Sequence, residues 1–503
     1  MKKAYLIILD GFGLGAHDTG DAVYQAQTPF FDHLMNNCPT SHLKNHGKCV
    51  GLPSFQTGGS EVGHITLGAG REVKHLLTKI NDQIDDGSFF ANPVLRALFK
   101  KAQKKKKIHF MGLLSDGGIH SFSPHLKGLK QMADEFGIEN VYLHPFLDGR
   151  DVGERTAKQY LEEASTNNWG EIATIGGRFF AMDRDDNHDR VSQHYDVLAN
   201  PSTRVIDQSW EASLETYYQS GDKSDYYLPP QLLNKAGQIQ ADDIVICFNY
   251  RSDRMRQLSS AFCDPDFDGF PTPIKIEKEN YGTFGPYCEG AQEPFDLGGE
   301  KTKNTLGEIV AQQGGNQLRI SETEKFNHVT FFFSGETKAL FEKEERILIP
   351  SPKCASYAEK PEMAAYEQTD ALLKAIEEKD FQLIVQNYAN ADLVGHSGEL
   401  KATVKAIEIL DKCLSQVVPA AMEKGYEVFV TADHGNADIM ILDNGEPNAA
   451  HTKNLVPFIW ANQSKEDYIL KKEGALGDVA PTILDTLELD KPEEMTGQSR
   501  IIR

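Results

Sequence analysis

The sequence predicts an α/β protein built on mostly parallel sheets, and three observations predict it. Short apolar runs alternate with amphipathic stretches along the whole chain. The apolar runs stop abruptly at Asp, Asn, Arg and Gly. The stretches between them repeat at helical spacing, so strand, crossover helix and parallel strand follow one another.

Taken in order, the first strand, 4–9, ends at Asp10-Gly11. The next, 108–114, ends at Ser115-Asp116-Gly117-Gly118, and 141–147 ends at Asp148-Gly149-Arg150-Asp151. Strand 172–175 ends at Gly176-Gly177-Arg178, and 244–248 at Asn249-Tyr250-Arg251. Further strands are expected at 329–333, 383–385, 427–430 and 455–459, with helices at 361–378 and 400–424. The basic run KKAQKKKK at 100–107 reads as a solvated helix end before a strand rather than an anion site. Pro- and Gly-rich stretches occur at 270–273 and 284–299, and the second, with the segment at 73–77, is a candidate exit of an inserted domain. In parallel sheets ligands bind beyond the carboxyl ends of the strands. Asp10, Arg150, Asp151, Arg178, Arg251 and Asp433 all stand there, which marks one or more active-site rims.

Composition narrows the function. At 503 residues the chain is long enough for two to four domains. A net charge of −22 argues against nucleic acid or an anionic membrane as the main partner, since both need a basic footprint. The seven cysteines are odd in number, scattered and without C-x-x-C, as free thiols in a reducing cytoplasm would be. The apolar run behind the N-terminal MKK is too short for a secretory segment, and nothing approaches the ~20 apolar residues of a membrane span. A soluble cytoplasmic protein is expected.

Residues 57–71, TGGSEVGHITLGAGR, set Ser60 behind two glycines. The run is neither a P-loop, nor G-x-G-x-x-G, nor G-x-S-x-G. If 61–67 begins a helix, Ser60 alone reads as a plain N-cap. Three distant segments change that weighting: NYANADLVGHSG with Asp392 and His396, TADHGNAD with Asp433 and His434, and AAHTKN with His451. With Asp10 they supply three Asp and three His near strand ends, a donor set that suits Mn²⁺, Zn²⁺ or Fe. Six such ligands plus a serine oxygen suit two ions, which roughly 3.5–4 Å apart clamp both oxygens of a phosphoryl transfer. A metal also activates a serine hydroxyl that is otherwise a poor nucleophile. The middle of the chain adds His120, Arg150, Asp151, Arg178, Arg184, Arg251 and Arg254 beside glycine turns, with Lys325 before the strand expected at 329–333. Arginine forks gathered in an acidic protein point to a small polyanion such as a phosphorylated carboxylic acid. Asp151 is placed to exchange a proton with a substrate hydroxyl.

The segments LDGFG, GGSEVGHITLGAGR, LLSDGGIHS, LDGRD, GRFFAMDRD, FNYRSDR, ETEKFNHVTFFFSG, NYANADLVGHSG, TADHGNAD and AAHTKN resemble, in order, the cofactor-independent phosphoglycerate mutases of the alkaline phosphatase superfamily. The resemblance implies an alkaline-phosphatase-like α/β domain, residues 1–76 and 298–503, interrupted by an inserted α/β substrate-binding domain, 77–297. It implies an isomerase of glycolysis and gluconeogenesis that interconverts 3-phosphoglycerate and 2-phosphoglycerate without 2,3-bisphosphoglycerate. It further implies a phosphoserine on Ser60, general acid–base work by Asp151, and catalytic support from Lys325. Two divalent ions are expected, Mn²⁺ first, with Mg²⁺, Co²⁺ or Zn²⁺ as alternatives. One would be held by Asp392, His396 and His451, the other by Asp10, Ser60, Asp433 and His434. His120, Arg150, Asp151, Arg178, Arg184, Arg251, Arg254 and Lys325 align with substrate-contacting positions. A monomer with a small-molecule substrate and no nucleic-acid or membrane partner is expected. Gly59 departs from the family, which often has Asn there, and Val152-Gly153-Glu154 replaces a Pro-rich segment. The alternatives are a related phosphatase, sulfatase or phosphopentomutase, and a catalytically dead binding protein on the same scaffold.

Overall fold

A computed structural model describes residues 2–221, 223–295, 302–461 and 469–502. The chain divides into two compact units, Met1–His75 with Glu300–Arg503, and Leu76–Gly299. The boundary expected at 297–298 lies outside the described residues.

The first unit is organised on an eight-stranded sheet. From edge to edge its strands are Glu344–Ile349, Gln317–Glu322, Leu383–Tyr388, Lys3–Leu9, Tyr426–Thr431, Val456–Ala461, Thr40–Lys44 and Glu473–Ala475. The first five run parallel, so their carboxyl ends share one edge. Val456–Ala461 runs antiparallel beside Tyr426–Thr431, so the segment leading into it arrives at that same edge. The central strand Lys3–Leu9 is buried on both faces from Ala4 to Leu9, as a run of aliphatics between two parallel neighbours requires. The long helix Leu400–Glu423 and the helices Ala365–Glu378, Pro29–Asn37 and Val479–Leu487 contribute apolar faces to the core on this sheet.

The second unit holds a smaller sheet in the order Gln231–Leu232, Thr174–Gly177, Asn140–Leu147, Lys107–Leu113, Val245–Cys247 and Tyr281–Thr283, with Glu171–Ile172 also pairing with Asn140–Leu147. Its strands are parallel except Gln231–Leu232. The basic run ends the helix Pro93–Lys105 ahead of the strand Lys107–Leu113, as the sequence suggests.

Two sequence expectations fail. Residues 329–333 form no strand. They lie in a helical segment, His328–Phe332, where the Phe333 N–H reaches the His328 carbonyl five residues back at 3.0 Å. A short apolar run cannot by itself distinguish a strand from a buried helical turn. Here Val329 and Thr330 are buried while Phe331 and Phe332 are half-buried, a pattern without strand alternation. Lys325 therefore does not precede a strand; it ends the short turn Thr323–Lys325 that follows the strand Gln317–Glu322. The single strand expected at 172–175 is two short ones, interrupted at Ala173, whose N–H is taken by the Leu143 carbonyl.

Candidate metal centre and anion pocket

In the first unit the carboxyl edge of the sheet collects the predicted ligands. Asp10 follows Lys3–Leu9, Asp392 sits in the helix Asn390–Gly395 after Leu383–Tyr388, and Asp433 and His434 follow Tyr426–Thr431. Ser60 opens the helix Ser60–Ala69, with Gly59 at its cap position making no side-chain cap bond. Ser60 is therefore the first helical residue, not the N-cap. Unpaired N–H groups at such a helix start favour an anion there. Two glycines permit the convergence. Gly11 has φ +76°, and a Cβ on it would lie 2.7 Å from the Asp392 Cα. A Cβ on Gly63 would lie 2.9 Å from the Asp433 Cβ, so only glycine lets the Ser60 helix pack this close.

Two groups of acidic and imidazole side chains result, Asp392 with His396 and His451, and Asp10 with Asp433 and His434; within each, one ligand atom per residue lies within 4.8 Å of the others. Their protonation can be read from their outer contacts. His396 Nδ1 faces the Ala449 carbonyl at 2.7 Å and His451 Nδ1 faces the Gly58 carbonyl at 2.9 Å, so each Nδ1 carries the proton. Their Nε2 atoms then face each other at 3.1 Å, each 3.2 Å from Asp392 Oδ1. Two imidazole lone pairs and a carboxylate oxygen converge on one point, which is the donor set of a divalent cation. In the other group, Asp433 Oδ2 is buried without a hydrogen-bond partner. Both sets fit a metal on these grounds, and the absence of sulfur favours harder ions.

Ser60 is bound into this cluster. Its Oγ lies 3.0 Å from Asp10 Oδ1, 3.0 Å from His434 Nε2 and 2.6 Å from Lys325 Nζ. Lys325 Nζ also donates to Asp10 at 2.7 Å and Asp392 at 2.6 Å. Burial opposes the charge on Lys325, but Asp10 and Asp392 overcome it and hold the ammonium firmly protonated. Burial likewise opposes charge on His434, and Asp433, Asp10 and Asp392 push it up to about 10. The cluster is an environment for positive charge.

In the second unit, His120, Arg150, Asp151, Arg184, Arg251 and Arg254 stand in loops beyond the parallel strands, and Arg178 opens the short helix Arg178–Ala181 that follows Thr174–Gly177. Arg178 is 2% exposed; its Nη1 lies 2.7 Å from Asp148 Oδ1 and 2.7 Å from Asp151 Oδ2, while its Nε and Nη2 are buried without partners. Unfilled guanidinium N–H groups in a dry site fit an anion. Burial and then Arg178, with Arg251 and Arg254 contributing, depress His120 to about 3, so it is a neutral donor or acceptor. Arg254 is lowered by burial and by Arg184, Arg178 and Arg150, which places these cations in one field. The Arg178 contact with Asp151 is ionic but not a hydrogen bond, since Asp151 Oδ2 has no hydrogen-bond partner. Burial raises the Asp151 pKa against the pull of Arg178, as suits a proton carrier.

A family model described as the metalloenzyme superfamily matches residues 2–491. A 2,3-bisphosphoglycerate-independent phosphoglycerate mutase of Clostridium novyi (strain NT) is 44% identical over 99% of both chains. One from Moorella thermoacetica is 43% identical over 100% of this chain and 99% of its own. The chain belongs to the 2,3-bisphosphoglycerate-independent phosphoglycerate mutase family. A solved Leishmania mexicana phosphoglycerate mutase, crystallised at low cobalt concentration, matches with a TM-score of 0.75 and 29% identity, covering 100% of this chain and 98% of that one.

Within this mutase family member, several buried or half-buried carboxylates and amides were not singled out from sequence. Asp148 Oδ1 accepts from the backbone N–H of Arg150 and Asp151 and from Arg178, which fixes the LDGRD turn. Asp253 accepts from Arg251 and Arg184 and lies 3.7 Å from His120, which spaces two arginines and the neutral imidazole. Its place between two arginines in NYRSDR was the available signal. Asn436 donates to Asp392 at 3.3 Å, and Asn387 donates to Asp10 at 2.7 Å. An asparagine inside a strand gives no sequence signal of that kind.

Proposed function

We propose that this chain interconverts 3-phosphoglycerate and 2-phosphoglycerate through a phosphoserine on Ser60, with two divalent ions and no bisphosphoglycerate. The carrying observation is Ser60 Oγ itself, shared among Asp10, His434 and Lys325 between two convergent ligand sets. Asp392, His396 and His451 would hold one ion, and Asp10, Ser60, Asp433 and His434 the other. Bound there, the ions would acidify the serine hydroxyl and neutralise phosphate charge. Mn²⁺ suits the oxygen and imidazole donors.

Ser60, which enters and leaves the cycle as the alkoxide that bound ions would sustain, attacks phosphorus through Oγ, and the bond from phosphorus to the glycerate 3-oxygen breaks. Asp151 gives that oxygen its proton. The arginines and His120 retain the glycerate, which turns so that its 2-hydroxyl faces the phosphoserine. Asp151 takes the 2-hydroxyl proton back, the 2-oxygen attacks phosphorus, and Ser60 is released. Proton and phosphoryl group are thereby both returned, and the reverse reaction uses the same groups. Lys325 stays protonated throughout and offsets charge on the transferring group. Retention of glycerate separates a mutase from a phosphatase, so the domain carrying the arginines, proposed as residues 77–297, is the specificity element.

No helix among the described residues is long and apolar enough to cross a membrane, and all seven cysteines are free, which supports the reading of a cytoplasmic enzyme. The proposal includes a monomer, checked by sedimentation. Mn²⁺-loaded protein given 3-phosphoglycerate without bisphosphate cofactor should yield 2-phosphoglycerate. Free phosphate as the main product would establish a phosphatase instead.

A further inference from the structure

His64 lies one turn beyond Ser60 on the same helix and is fully buried. Its Nδ1 faces the Ser60 carbonyl, an acceptor, at 2.8 Å, so Nδ1 carries the proton, and it lies 3.1 Å from Asp433 Oδ2 without hydrogen-bonding to it. Its Nε2 is 3.1 Å from Asn387 Nδ2. That amide nitrogen has two hydrogens; one meets the His64 lone pair and the other meets Asp10 Oδ2 at 2.7 Å. Every proton along Ser60–His64–Asn387–Asp10 is therefore assigned. The reversed amide would set Asn387 Oδ1 against the Asp10 carboxylate. Asn387 is itself fully buried in the strand Leu383–Tyr388, opposite Ile8, two residues before Asp10.

A satisfied core histidine on a helix would need only the bond to the carbonyl four residues back. His64 does more: it reaches toward one carboxylate of the Asp10–Asp433–His434 group and, through Asn387, the other. The Asp392–His396–His451 group has separate partners, namely Asn436 and the carbonyls of Ala449 and Gly58. We propose that His64 and Asn387 are positioning residues for the Asp10–Asp433–His434 metal group alone. Asn387 holds Asp10 Oδ2 and leaves Oδ1 toward Ser60 and His434, while His64 stands against Asp433 Oδ2, whose companion Oδ1 is already held by the N–H groups of Gly11 and His434. They also couple that group to the Ser60 backbone, so metal affinity and the seating of the nucleophile rise and fall together. Outer partners of metal ligands typically contribute 10–100-fold in affinity.

This inference rests on the two-metal reading, and metal binding separates the two. The full-length protein, stripped with chelator, is titrated with Mn²⁺ by calorimetry and equilibrium dialysis. The wild type should bind two ions, and the class missing from Asp433→Asn identifies the group in question. His64→Ala should weaken that class by about 10–100-fold and leave the other within about threefold. His64→Asn, which keeps a donor at the Nδ1 position, should retain most of the affinity. Asn387→Ala should weaken the same class from the strand side, which keeps the test open if His64→Ala does not fold. Equal weakening of both classes, no weakening, or an Asn variant as weak as Ala would overturn the positioning role. A wild type that binds fewer than two ions would instead overturn the two-metal reading.

Discussion

Replacing Lys325 with Met should destabilise the metal-free protein far more than the metal-loaded one. The Lys325 side chain is 6% exposed, with Nζ 2.7 Å from Asp10 and 2.6 Å from Asp392, whose side chains are 0% and 2% exposed. At an effective dielectric near 20, each contact is worth about 6 kcal/mol of gross attraction. The cost of burying the charges consumes much of that. Removing one partner of such a buried set typically costs about 3–5 kcal/mol, because the carboxylates remain buried without their counter-charge. Met fills similar volume, so the loss is electrostatic rather than a cavity effect. In a unit of this size that is a fall of roughly 10 °C in the transition temperature. Divalent ions held by Asp10 and Asp392 supply the missing positive charge, so the loss should shrink to about 1 kcal/mol or less in saturating Mn²⁺. Differential scanning calorimetry in chelator and in Mn²⁺ measures both. Equal destabilisation in the two conditions would show that Lys325 and the metals do not share these carboxylates. The loaded variant should still turn over about 10²–10³-fold more slowly, as expected when a charge aimed at the transferring group is lost.

Glu322 is buried, and burial raises its pKa to about 7. The folded state thus binds an extra proton between the unfolded value near 4.5 and 7, so stability falls as pH rises through that window. Glu322→Gln should stabilise by about 3 kcal/mol at pH 8 and about 1 kcal/mol at pH 5, and equal effects at both in urea titrations would refute the shift. Arg178→Met leaves Asp148 and Asp151 buried without their guanidinium; it should cost about 3–5 kcal/mol and abolish saturable binding of 3-phosphoglycerate, read by calorimetry. Gly59 has extended backbone at φ −163°, and a Cβ there meets only His451 at 3.5 Å. Gly59→Asn should therefore fold normally, with stability changed by no more than about 1 kcal/mol. A loss of several kcal/mol would mean that the loop needs glycine.

Much of the site was legible because its chemistry stands where apolar runs stop. Asp10, Arg150, Arg178, Arg251 and Asp433 each close or follow a buried strand, so strand ends marked both rims before any geometry was known. The strand QLRISE, Gln317–Glu322, was invisible because buried polar side chains fill it. Arg319 is fully buried, bonded to Gln317 at 2.6 Å and set over the Phe333 ring, so neither alternation nor an apolar run appears. Missing that strand is what misplaced Lys325 relative to its neighbours. His64 and Asn387 were hidden for a related reason. Their roles depend on which atoms they meet across the sheet, not on spacing along the chain. Asp253 lay in a segment already singled out for its arginines, and its contacts with Arg184 and His120 come from loops far away in sequence.

The covalent route through Ser60 is tested most directly by acid-quenching the Mn²⁺-loaded protein during turnover of 3-phosphoglycerate labelled in its phosphate, then mapping the label to a peptide. The label should appear on Ser60 in the wild type. It should be absent from Ser60→Ala, which should bind metal and substrate without turning over. Turnover by the wild type with no labelled protein at any quench time, or substantial mutase activity in Ser60→Ala, would contradict the account.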